Sequence, residues 1–292
     1  MRVRAVVLFF PVLIWVLAVH GQTVAATEES REAATGLLPP ARNAAGHAPY
    51  LSLGMDLIRP KNTRFFDGGD AGHATLYGSR FTFDTGAVGS SFQFYLAPGV
   101  RLPSGLRLQL EFSLARALDW RGNTNYRASG GHQPSGARLD TWQLLPAGFY
   151  DFPGWKLAPP GRRVQPFLGA GLGITGYRLS DYVQRFPEPD NPEESLRRGP
   201  GGEIPFTALP GGSGQNPTWM LTAGVAIPIG GSMHLDLSYR YTDAGEIGTD
   251  IGDITIVRYR EDGTRREIRV PINETSAEYR VNSLLVMLRF EF

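Results

Sequence analysis

Apolar and polar residues alternate with a period of two in eight separate stretches of the chain. Leu51, Leu53, Met55 and Leu57 share one parity, opposed by Ser52, Gly54 and Asp56. Phe92, Phe94, Leu96, Val100 and Leu102 oppose Gln93, Tyr95, Ala97, Gly99 and Arg101. After Pro103-Ser104-Gly105 the pattern restarts, with Leu106, Leu108, Leu110, Phe112 and Leu114 against Arg107, Gln109, Glu111 and Ser113. Trp142, Leu144, Tyr150 and Phe152 outline a fourth face. Val164, Leu168, Ala170, Leu172 and Ile174 outline a fifth, with Gly169, Gly171 and Gly173 on its back to admit bulky neighbours. Trp219, Leu221, Val225 and Ile227 outline a sixth. In the seventh, Met233, Leu235, Leu237, Tyr239 and Tyr241 oppose His234, Asp236, Ser238 and Arg240. The eighth runs to the last residue, with Leu284, Val286, Leu288, Phe290 and Phe292 on one parity. Successive side chains of a strand point to opposite faces, so each stretch predicts a β-strand with one apolar face.

The connections alternate in length. Residues 103–105 and 230–232 make tight turns and 153–163 an intermediate one, whereas 59–89, 119–136, 180–216 and 243–276 are long and polar. Short turns on one side and long loops on the other describe an all-β, eight-stranded antiparallel transmembrane barrel with short periplasmic turns and long extracellular loops. A soluble barrel would show the same alternation with its apolar face inward, and three features favour the membrane. The polar parity carries Asp56, Glu111, Asp151, Asp236 and Glu291 with Arg101, Arg107, Arg240 and Arg289, a nearly balanced set suited to a small lumen closed by ion pairs. Aromatic residues gather at segment ends (Trp120, Trp142, Tyr150, Phe152, Trp219, Tyr241, Phe290, Phe292), as interface girdles require. Arg2 and Arg4 precede an apolar run from Ala5 to Val19 and small residues up to Ala26, the pattern of a secretory signal. The expected organisation is a signal peptide (1–26), a lead-in (27–48) and a barrel (49–292). The last strand must close on the first, because no backbone group can stay unpaired in lipid.

Composition adds limits. Without the signal, the 29 basic residues fall to 27 against 28 acidic ones, so net charge suggests neither a nucleic acid nor an anionic surface as a partner. The absence of cysteine leaves packing and hydrogen bonds to hold an exported chain. Gly 36 and Pro 22 fit a turn-rich architecture.

Residues 150–177, 233–249 and 283–292 together resemble the opacity-type outer-membrane β-barrel family of Gram-negative surface antigens. The likeness spreads over 49–292. It implies an eight-stranded barrel and a terminal aromatic signal, Phe292 with Phe290, read by the barrel-assembly machinery. Surface loops in that family vary in role, so the resemblance implies no ligand.

The expected function is a structural, surface-exposed one in the outer membrane, in contact with its lipid and lipopolysaccharide and with a possible extracellular ligand. A narrow porin-like channel is the alternative, although eight strands leave an interior only wide enough for side chains. A lipid-modifying enzyme would need a nucleophile–base arrangement facing the lipid. His47, His73 and His132 fall in the lead-in or loops, and His234 adjoins Asp236 only in sequence, so no catalytic, metal or cofactor residue is assigned. The carboxylates of 67–72 and 248–253 lack calcium-loop spacing. The lumen charge network is expected to comprise Asp56, Arg101, Arg107, Glu111, Asp236, Arg240 and Arg289. Finally, Ile254 and Ile256 mirror Ile268, Val270 and Ile272 around Asp262-Gly263, which predicts a hairpin extending the last two strands. Its Arg258, Arg260, Arg265, Arg266 and Arg269 form a candidate contact surface for an anionic partner.

Overall fold

The computed structural model describes residues 46–67, 82–124, 133–156, 163–186 and 197–292. Its strands are β1 (Ala48–Pro60), β2 (Asn62–Asp67), β3 (Thr82–Val88), β4 (Ser91–Arg101), β5 (Leu106–Asn123), β6 (Pro134–Asp151), β7 (Trp155–Lys156), β8 (Arg163–Arg185), β9 (Phe206–Ala208), β10 (Gly212–Gly230), β11 (Met233–Thr249), β12 (Gly252–Tyr259), β13 (Arg265–Ile272) and β14 (Thr275–Glu291). Eight of them, β1, β4, β5, β6, β8, β10, β11 and β14, pair in antiparallel succession. The ring closes where β14 pairs with β1, from Tyr50 opposite Glu291 to Pro60 opposite Val281. Phe292 donates its backbone N–H to the Pro49 carbonyl at 2.9 Å, so hydrogen bonding continues to the last residue.

The turns at one end are tight. Leu102 N–H donates to the Leu106 carbonyl at 2.7 Å, and Gly105 closes that turn at φ +84, a conformation open to glycine without strain. At the other end the connections are long, and the described parts are largely β-structured. β2 and β3 fill the space between β14 and β5, continuing the wall above β1 and β4. β12 and β13 form the expected hairpin, and β9 joins β12 to β8. The hairpin tip spans Arg260 to Thr264: Arg260 N–H donates to the Thr264 carbonyl at 3.0 Å, and Gly263 sits at φ +80. Thr264 N–H donates to Asp262 Oδ1 at 2.8 Å, a backbone bond that holds this carboxyl below its usual range.

The barrel has two sections with opposite interiors. Toward the turn end, the outer face is apolar, with Leu172 73% and Phe94 61% exposed, and the inner face carries charged and polar side chains between apolar clusters around Phe149 and Met287. Apolar outside and charged inside is the arrangement of a membrane-spanning barrel. Toward the loop end the interior is apolar: Phe65, Val88, Leu118, Trp120, Leu139, Leu179, Tyr182 and Ile247 form one core, closed over by Ile254 and Ile272 of the hairpin. Phe65, Trp120 and Tyr182 pack with ring centroids 5.1–5.3 Å apart.

In three strands a β-bulge accompanies the inversion. One extra residue in β5 between Ala115 and Leu118, one in β8 opposite Gly136 to Arg138, and one in β11 between Asp243 and Glu246 shift the register. Ala117 and Asp181, in two of these bulges, take φ of 53 and 54, rare for residues with a side chain. A one-residue shift exchanges the faces of everything beyond it. Even-numbered residues of β5 therefore face lipid up to Leu114 and face the core from Leu118 onward. Trp120, expected in an interface girdle, is instead 1% exposed at the centre of the upper core. Trp142, Tyr150, Phe152, Trp219, Tyr241, Phe290 and Phe292 do lie on the outer parity.

Candidate functional site

The lower lumen is filled by layers of charge. Nearest the turns, Arg101 lies 3.6 Å from Asp151 and 3.5 Å from Glu291, which also pairs with Arg289. Above this, Arg107 donates to Asp151 at 2.9 Å and to Asp236 at 3.1 Å, and Arg289 donates to the same Asp236 at 3.0 Å. The Arg107 guanidinium also lies over the rings of Phe149 and Phe167, 5.1 and 4.9 Å from their centroids. Gly169 leaves room for the Phe149 ring, and Gly171 for Met220. In the next layer Arg240 grips Glu111 through both guanidinium arms at 2.7 and 2.8 Å, in the fork geometry that makes such pairs strong. Gln109 donates to Glu111 at 2.6 Å and accepts from Tyr50 at 2.9 Å.

The sequence-derived network thus meets around Asp236, Asp151 and Glu111, joined by Glu291 from the same parity. Asp56 stands apart. It accepts a hydrogen bond from Tyr95 at 3.1 Å and lies beside the Ser283 hydroxyl, and no arginine forms an ion pair with it among the described residues. Tyr50, Tyr95, Gln93 and Gln143 are buried parts of the same polar interior. His234 Nδ1 lies 3.9 Å from Glu291, rather than against Asp236.

The outer wall above the lipid-facing band carries charges of both signs, with Asp140 paired opposite Arg178. Arg59 follows Leu57, Arg116 follows Leu114, and Arg178 lies beyond Ile174, all exposed. Higher on the β5–β6–β8 wall a shallow groove of about 360 Å³ is lined by Asp119, Arg121, Arg138, Asp181 and Arg185. Arg138 lies 3.8 Å from Asp181. The sequence reading missed this wall because it assigned 119–136 and 180–216 to irregular loops. The signal was Arg116 interrupting an apolar parity that resumes at Leu118.

Among the hairpin arginines, Arg260, Arg265, Arg266 and Arg269 are exposed and Arg258 is half-buried. Arg265 pairs with Glu267 at 2.6 Å, and Arg197 reaches Glu261 near the tip at 2.7 Å. β13 pairs with β12 alone among the described strands. Its arginines and Pro271, which has no N–H to offer, blunt that edge against further strand pairing.

Closed pairing of eight strands, an apolar outer band and a charged lumen define an eight-stranded transmembrane-type β-barrel. No family model and no curated protein matches the sequence. Solved structures with a similar fold are outer-membrane or surface proteins. They include Neisserial surface protein A, at 15% identity and TM-score 0.38 over 85% of this chain and 99% of that one. The outer membrane protein OprG from Pseudomonas aeruginosa is similar at 12% identity and TM-score 0.38, over 84% of this chain and 95% of that one. Ail, the attachment invasion locus protein of Yersinia pestis, is similar at 9% identity and TM-score 0.30, over 84% of this chain and 98% of that one.

Proposed function

We propose that the protein is a closed, non-conducting barrel of the outer membrane whose role lies at its surface. In this reading the turn end is periplasmic, and the upper section is a stiff β-structured head held outside the cell. The observation that carries the proposal is the filled interior: guanidinium–carboxylate layers below and a continuous apolar core above. A narrow porin-like channel, the competing reading, needs a water path through space that those side chains occupy.

Surface contact would begin with the lipopolysaccharide around the barrel. Arg59, Arg116 and Arg178 are exposed beyond the last lipid-facing side chains, where they would meet phosphates of the outer leaflet. Guanidinium groups match phosphate oxygens in geometry and charge. The exposed hairpin arginines carry the same chemistry outward, toward an extracellular anionic ligand.

Substitution of Arg258, Arg260, Arg265, Arg266 and Arg269 with glutamine is expected to leave the barrel folded. Binding to an immobilised sulfated polysaccharide should fall severalfold at low salt, and the difference should shrink as salt rises. Glutamine at Arg59, Arg116 and Arg178 should instead weaken retention of lipopolysaccharide during detergent extraction. Unchanged behaviour of both variants would refute a surface role built on these arginines.

A further inference from the structure

The upper core ends, toward the loops, in a set of buried oxygens without good hydrogen bonds among the described residues. Asp84 on β3, Thr124 just past β5, Gln133 just before β6 and Ser135 within β6 turn inward. They are 2%, 1%, 5% and 6% exposed respectively. Strand pairing brings them together. Thr85 lies opposite Asn123 and Gly122 opposite Ser135, while Thr124 N–H donates to the Gln133 carbonyl at 2.9 Å. Asp84, Thr124 and Gln133 are therefore neighbours across three adjacent strands, with Ser135 one inward step below.

The Tyr182 hydroxyl, from β8, donates to Asp84 Oδ2 at 2.9 Å. The hydroxyls of Ser135 and Thr124 flank the same carboxylate. Yet Asp84 Oδ1, Thr124 Oγ1, Gln133 Oε1 and Ser135 Oγ each lack a hydrogen bond of good length and angle among the described residues. A carboxylate oxygen and an amide oxygen can only accept, so Asp84 Oδ1 and Gln133 Oε1 each call for a donor or a cation. Burial of one such acceptor is costly, and burial of a carboxylate without a counter-charge more so. No arginine or lysine ion pair reaches Asp84 among the described residues. Glycine at 122 permits the crowding, because a Cβ there would strike both the Trp120 ring and Asp84 Oδ1.

We propose that Asp84, Thr124, Gln133 and Ser135 hold a hard divalent cation, Ca²⁺, at the loop end of the barrel. The donor set is all oxygen, without the nitrogen or sulfur that retains transition metals. Ca²⁺ accepts irregular shells of carboxylate, side-chain amide and water oxygens, whereas Mg²⁺ demands a near-ideal octahedron and dehydrates reluctantly. Among the described residues no group of three or more His, Asp or Glu converges on a metal. With one carboxylate, affinity belongs at the weak end, a Kd on the order of 10⁻⁴–10⁻³ M. Bound there, the ion ties β3, β5 and β6 together, and β8 through Tyr182, where the wall meets the long connections.

Tb³⁺, a luminescent stand-in for Ca²⁺, reports on the site because the Trp120 indole lies beside it. Full-length protein refolded in detergent is expected to show tryptophan-sensitised Tb³⁺ emission that saturates in the millimolar range and is displaced by Ca²⁺ but poorly by Mg²⁺. Calorimetric titration should show the same Ca²⁺ binding directly. Asp84→Asn, close to isosteric, should weaken binding at least tenfold, and Ser135→Ala less. Asp250→Asn, exposed and outside the set, should bind as the parent does. Heat-modifiable gel migration verifies that each variant is folded. Absence of Ca²⁺ and Tb³⁺ binding by the parent, or equal binding by folded Asp84→Asn, would show that buried water alone meets these oxygens and would overturn the proposal.

Discussion

Replacing Glu111 with alanine is expected to lower the unfolding free energy of the barrel by about 3–5 kcal/mol, the cost of breaking a buried pair from one side. Glu111 is 0% exposed and accepts both arms of Arg240, which is itself 1% exposed. Truncation leaves a guanidinium in a closed lumen, over the Tyr95 ring at 5.2 Å and without its carboxylate partner. The cost comes from the stranded charge rather than from the net worth of the pair. The double variant Glu111→Leu with Arg240→Met should therefore recover most of the loss, since apolar replacement of a whole buried pair is often neutral. Urea titration in lipid vesicles, read by heat-modifiable migration, measures both. A single variant as stable as the parent would mean that water reaches Arg240.

Trp120→Ala carries the second large effect, about 3–5 kcal/mol for deleting a buried indole from a packed core. Its ring sits between Phe65 and Tyr182, in the upper core that strands on every side share. The loss should be local. Hydrogen exchange is expected to accelerate at β2, β3 and the upper ends of β5 and β8, while the lower barrel stays protected. Trp219→Ala, removing a 41% exposed side chain from the outer face, should cost much less. Equal costs for the two would place Trp120 on the outside and refute the inversion.

These contrasts explain how much of the molecule was legible in the sequence. Eight strands, their lower faces, the closing β14–β1 pair and the hairpin all follow from period-two alternation and turn residues. The upper section was hidden because a bulge leaves the sequence pattern continuous while reversing its meaning. Leu106 to Leu114 and Leu118 to Trp120 share one parity, yet the first group faces lipid and the second the core. Where a strand has no bulge, the trace is visible in principle. In β14 the apolar parity changes from Ala277, Tyr279 and Val281, facing inward, to Leu284 and Val286, facing out. The same change in β6 separates Ala137 and Leu139 from Trp142 and Leu144. Of the lumen charges, those that met in space were on one parity with opposite signs. Asp56 shared the parity, and its Tyr95 partner lay on a neighbouring strand whose height the sequence does not fix. The oxygens around Asp84 gave no signal, since they are brought together by pairing in segments that read as loop.

Buried ion pairs below and an apolar core above are expected to close the lumen, and planar-bilayer recording tests that most directly. Purified, refolded protein reconstituted at single-molecule density is expected to give no steady current steps at moderate voltage and physiological salt. Reproducible, long-lived openings that scale linearly with voltage would contradict it, because they require a continuous aqueous path past Arg107, Arg240 and the core around Trp120.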